Sequence, residues 1–117
     1  MTLEDFLKKL NTDPESIEFN DTISVIDTNY NYLPTAFENG TQKNAAGQNE
    51  GSCKILAFGK LNNLDKEQTL HCFGQYYREE VLNDPDGKSH QNIRQFMLTG
   101  WEGVNFENQA LQVSGTC

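Results

Sequence analysis

Gly47-Gln48-Asn49-Glu50-Gly51-Ser52-Cys53 sets a thiol directly after a polar, glycine-bearing stretch, at the point where an apolar helical segment begins. A helix N-terminus presents unpaired N–H groups and a partial positive charge, which favour a thiolate and equally favour an anionic ligand group. Either Cys53 is a nucleophile or the stretch is a cradle for a ligand. The structural alternative makes Ser52 the helix cap and Cys53 a small core residue, with the nearby Glu50 opposing ionisation of the thiol. A cysteine nucleophile needs a base within hydrogen-bond reach, and the chain offers His71 and His90. His90 is the better candidate because it opens a predicted helix with Gln91, Asn92 and Arg94 beside it. Asn49 or Asn92 would then orient the imidazole in a Cys-His-Asn grouping. A capping or surface role for His90 is the competing reading.

Tyr76-Tyr77-Arg78-Glu79-Glu80 brings aromatic faces, a guanidinium and two acids together. Tyr77 falls on an apolar stripe, whereas Tyr76 and Arg78 point elsewhere and either line a cleft or, for Arg78, pair with a neighbouring acid. Trp101, the only tryptophan, is a core plug or a partner-facing anchor. His71, Cys72 and Cys53 match no zinc spacing, and Asp84-Pro85-Asp86-Gly87 lacks the later ligands of a calcium loop, so no metal or other cofactor is expected.

These residues need elements to hold them. Thr2 and Asp5 cap a first helix with Leu3, Phe6, Leu7 and Leu10 on one face, stopped at Asp13-Pro14. A second helix starts at Phe19-Asn20-Asp21-Thr22 and carries Ile23, Ile26 and Tyr30 on one face before Pro34. Asn39-Gly40 forms the type I′ turn of a small hairpin between Thr35–Glu38 and Thr41–Asn44. Ser52 caps a buried third helix, Cys53–Leu61. Asp65 to Gln68 starts a fourth, in which Leu70, Phe73, Gly74, Tyr77 and Val81 share a face. After a turn at Asn83–Gly87, Ser89 caps a fifth helix with Ile93, Phe96 and Met97, ended by Gly100. Alternation at Val104, Phe106, Leu111 and Val113 predicts one or two short strands, and Gly115 to Cys117 is expected to fray. The fold class is α+β, mainly α: about five helices packed with a small antiparallel hairpin or sheet in one domain.

Composition narrows the partners. With 117 residues the chain suits one core, and Leu, Ile, Val and Phe make up 27 of them, enough to fold. A formal charge of -8 repels a phosphate-rich polymer at long range, which argues against nucleic acid. No apolar run approaches bilayer length, so no membrane partner is expected, and Met1 to Leu10 lacks the apolar stretch of a cleavable signal peptide. Three cysteines form no disulfide framework and are read as thiols.

Phe19-Asn20-Asp21-Thr22, Pro34 to Gly40 and Ala46 to Ile55 resemble the HopJ family of type III effector proteins. So do Cys72-Phe73-Gly74-Gln75-Tyr76-Tyr77-Arg78-Glu79, His90-Gln91-Asn92-Ile93-Arg94 and Gly100-Trp101, and together the similarity spans about Phe19 to Phe106. The resemblance implies a bacterial protein of the kind that plant pathogens deliver into host cells, and it brings no catalytic assignment. The resulting expectation is a cytoplasmic binding module, with type III delivery into a host cell as the route the resemblance implies. Asn49, Glu50, Ser52, Tyr76, Arg78, Asn92 and Arg94 form its recognition surface for a small anionic ligand or a host or bacterial protein. The alternative is a cysteine-dependent hydrolase or transferase with Cys53 as nucleophile and His90 as base. Oligomeric state is not legible in the residues.

Overall fold

The Thr2 hydroxyl accepts from the Asp5 N–H at 3.0 Å and starts α1, Leu3–Thr12, whose apolar face buries Phe6 and Leu10. The computed structural model describes residues 2–113, so the expected fraying of Gly115 to Cys117 lies outside the described residues. After a single 3₁₀ turn, Pro14–Ser16, the Glu18 N–H donates to the Asp21 carboxylate at 3.0 Å and opens α2, Phe19–Asn29. Tyr30 does not extend that helix: it begins strand β1, Tyr30–Tyr32, because its ring turns inward onto Phe58 at 5.9 Å while its backbone pairs with a distant strand.

Strands β2, Phe37–Asn39, and β3, Gln42–Asn44, form the expected hairpin, with the turn one residue later than predicted. Asn39 pairs with Gln42, so the central residues are Gly40 and Thr41. Only Gly40, at φ 61°, has left-handed backbone, which suits a type II′ turn. The shift matters because Asn39 then stays in the strand, fully buried. Next comes α3, Glu50–Leu61, capped by Asn49 at φ 50° and not by Ser52. It is the internal helix its apolar circumference predicted, burying Cys53, Ile55, Leu56, Ala57 and Phe58.

The fourth predicted helix breaks in two. α4 runs Lys66–His71, capped by Asp65, and a wider π-type turn occupies Tyr76–Val81, where the Leu82 N–H reaches Tyr77 O, five residues back. Between them Gly74 takes φ 62°, and a Cβ there would collide with the backbone of Glu18 and Phe19. Leu70, Phe73, Gly74, Tyr77 and Val81 are nonetheless all buried, so the stripe read from the sequence is the inner face even though the helix is interrupted. His90, not Ser89, caps α5, Gln91–Thr99, which ends at Gly100 with φ 59°. Gly100–Gly103 adds a 3₁₀ turn before β4, Val104–Phe106, and β5, Leu111–Val113.

β1 and β5 form a two-stranded antiparallel sheet, and β3-β2-β4 a three-stranded one. The helices pack around Phe6, Phe58, Phe73 and Phe96, all at most 2% exposed. Trp101 takes the core-plug role, edge-on to Phe96 at 4.9 Å with its indole N–H on Leu64 O at 2.9 Å. No helix among the described residues is long and apolar enough to cross a membrane.

Candidate functional site

The first turns of α3 and α5 face a common hollow of about 450 Å³, whose lining includes Asn49, Gly51 and Ser52 from one and His90, Gln91 and Asn92 from the other. Both helices begin on a residue in left-handed conformation, Asn49 at φ 50° and His90 at φ 53°, and neither residue's side chain caps its own helix. The first N–H groups of an α-helix have no acceptor within it, so two sets of backbone donors open toward one space. Much of the remaining lining is aromatic. Phe19 meets Tyr76 edge to face at 4.9 Å, Tyr76 stacks on His90 at 5.2 Å and 27°, and Phe73 lines the space as well.

A network of amides, buried at Asn39, Asn44 and Asn92 and reaching the surface at Asn49, holds the two helix starts together. The Asn44 amide oxygen accepts from Asn49 Nδ2 at 2.6 Å and Asn92 Nδ2 at 3.0 Å, while Asn92 Oδ1 accepts from Asn39 Nδ2 at 3.1 Å and Asn44 Nδ2 at 3.2 Å. Asn39 Nδ2 also reaches Asn92 O at 2.7 Å. Thus the hairpin fixes where α3 and α5 begin. His90 is oriented separately: its Nε2 lies 2.8 Å from Glu80 Oε1, on the π-type turn that also carries Tyr76.

Cys53 follows Ser52 in the chain and does not line this hollow. It is 1% exposed, and its N–H already donates to Asn49 O at 2.9 Å inside the helix. Burial pushes its thiol up, with Glu50 adding to the rise, and the contacts with the Tyr32 side chain and the Thr35 backbone offset only part of this. Cys72, fully buried, is pushed up to about 12 by burial. Exposed Glu50 influences Tyr32 and Cys53 and does not line the hollow. Among the described residues no group of three or more His, Cys, Asp or Glu could hold a metal ion.

The conformation of these segments follows from a sequence that matches the HopJ type III effector protein family over residues 3–111. The chain belongs to this family. It is also similar to a crystal structure described as the unknown function protein VPA0580, with 56% identity, a TM-score of 0.96, and coverage of 97% of this chain and 95% of that one. No curated protein matches it.

In this HopJ-family chain the remaining expected site residues divide. Asn49, Ser52, Tyr76, His90 and Asn92 come together in the hollow. Arg78 points away: its guanidinium donates to Pro14 O and Ile17 O and lies 3.4 Å from His71 Nδ1, tying the π-type turn to the 3₁₀ turn before α2. Its partners are carbonyls, not the acid that its neighbours in sequence suggested. Arg94 is likewise structural, holding Ser89 O at 2.6 Å and Asp84 O at 2.7 Å and so bracing the loop that delivers His90. Sequence reasoning missed Glu80, Phe19, Phe73 and Gln42 at the site and Asn39 and Asn44 behind it. Only Glu80 carried a local signal, beside Tyr76 and Arg78.

Proposed function

We propose that this HopJ-family chain is a binding module whose recognition site is the hollow between the starts of α3 and α5. The observation that carries this reading is the convergence of two helix N-termini and the Phe19–Tyr76–His90 wall on one space of about 450 Å³, within the size range of small-molecule sites. Its occupant is a small anionic or carbonyl-bearing group, free or displayed on a host or bacterial protein. No carboxylate lines the hollow itself, salt screens the exposed charges that lie more than about 8–10 Å away, and the nearer Glu80 carboxylate is taken up by His90 at 2.8 Å. The cysteine-hydrolase alternative finds no support in a walled-in thiol whose ionisation burial disfavours.

Titrating the isotope-labelled chain with inorganic phosphate and acetate tests the site. The amide resonances of Glu50 to Ser52 and of Gln91 and Asn92 are expected to move together, and Ser52→Glu, which sets a carboxylate into the opening, is expected to abolish the response. Shifts confined to other surfaces would show that the hollow is not the site. For location, the reading is cytoplasmic. A reporter fused to Met1 through Tyr30 is expected to stay in the producing cell, and its appearance in host cells would instead establish type III delivery.

A further inference from the structure

Eleven residues line the hollow, and not one of them is Asp, Glu, Lys or Arg, in a chain where 22% of residues are charged. The side chains present instead are aromatic rings and amides. Phe19, Tyr76 and His90 form a continuous run of rings along one wall. The same lining carries groups with unused hydrogen-bonding capacity. Asn49 and Gln91 donate through Nδ2 and Nε2, to Asn44 and to Lys88 O, and their amide oxygens have no partner among the described residues. The Gln42 amide and the Ser52 hydroxyl, also in the lining, make no side-chain hydrogen bond there either.

Beyond the backbone N–H groups of the two helix starts the hollow offers an ion no counter-charge, because its lining holds no Lys or Arg and the His90 imidazole already faces the Glu80 carboxylate at 2.8 Å. Flat rings gain from stacking on aromatic faces, and carboxamides pair with groups that carry a donor and an acceptor side by side. We infer that the hollow selects a neutral planar heteroaromatic ring with amide-type edges, the nucleobase and nicotinamide class, laid against the Tyr76–His90 stack with its edge toward Asn49, Gln42 and Gln91. This inference rests on the hollow being the binding site. The ring contacts give selectivity, and the helix N-termini receive a carbonyl oxygen or a single phosphate carried by the same molecule. A polynucleotide is disfavoured by the overall charge, whereas a free base, a nucleoside or a mononucleotide is not.

The test titrates the full labelled chain with adenosine, uridine, nicotinamide, adenosine monophosphate, ribose and inorganic phosphate, following backbone amides and heats of binding. Ring-bearing probes are expected to shift Gly51, Ser52 and Gln91 and ribose is not; comparing adenosine with its monophosphate shows whether the phosphate contributes. Tyr76→Ala is expected to weaken ring binding about tenfold or more, while Tyr76→Phe, which keeps the ring, retains it. Should Tyr76→Ala fail to fold, His90→Ala, expected to weaken ring binding as well, replaces it. Equal ring affinity in a folded Tyr76→Ala or His90→Ala protein overturns the stacking assignment. Phosphate shifting these amides while no ring probe does overturns the ring inference and leaves the binding module standing. No response from any probe overturns both.

Discussion

Cys53 shows how the same residue type changes meaning with burial. At a free helix start a thiol would be primed; here it sits at 1% exposure, its N–H satisfied and its ionisation disfavoured by desolvation. Native protein treated with iodoacetamide at pH 8 and mapped by peptide mass is expected to show Cys53 and Cys72 unmodified, with both labelled only after denaturation. Rapid labelling of Cys53 in the folded state would restore the nucleophile reading. Thr22 makes a comparable point with a hydroxyl: fully buried, it donates to Cys72 O at 2.7 Å. Thr22→Val keeps the shape and strands that carbonyl, so a loss of about 1–3 kcal/mol in urea denaturation is expected.

Among the elements, the break after α4 decides where the aromatic wall stands. Gly74 turns the chain so that Tyr76 meets Phe19 and His90, and it can do so because it lacks a Cβ where the backbone of Glu18 and Phe19 passes. Gly74→Ala adds left-handed strain to a backbone collision and is expected to cost at least about 2 kcal/mol, read as a lower urea midpoint. The amide network does the same for the two helix starts. Asn44→Ala and Asn92→Ala each leave buried partners unsatisfied, at about 1–3 kcal/mol apiece, and the double variant is expected to lose less than their sum. Additive losses would mean that the two amides do not act as a unit.

For the molecule as a whole, buried titratable groups define a pH window. Burial and the adjacent Arg78 hold His71 below the ordinary histidine value despite Glu67 and Glu15 nearby. The unfolded chain therefore takes up a proton more readily, and stability falls as pH drops below about 6.5. Cys53 and Cys72 are raised by burial, Cys72 from 9.0 to about 12, so the unfolded chain loses its thiol protons first and stability falls again as pH rises above about 9. Denaturation midpoints from pH 5 to 10 are expected to trace this plateau, and His71→Gln to flatten its acidic side. An unchanged acidic slope in that variant would assign the effect to other groups.

The linear order of residues by itself determined the helix faces, the hairpin, the caps at Thr2 and Asp65, the end at Gly100 and the family, because periodicity, capping and turn chemistry act within a few residues. It also held the two polar segments that meet at the hollow. It did not reveal that Tyr30 leaves its helix, that Gly74 interrupts another, or that Asn49 and His90 displace Ser52 and Ser89 as caps. Those outcomes depend on partners far away in the chain: β5 for Tyr30, the start of α2 for Gly74, and Asn39, Asn44 and the Arg94-braced loop for the caps. Local propensity is worth tenths of a kcal/mol per residue, and a buried contact or an unsatisfied amide is worth several times that. Hence only tertiary packing sent Arg78 and Arg94 to backbone carbonyls and left Asn49, Ser52, Tyr76, His90 and Asn92 around one space.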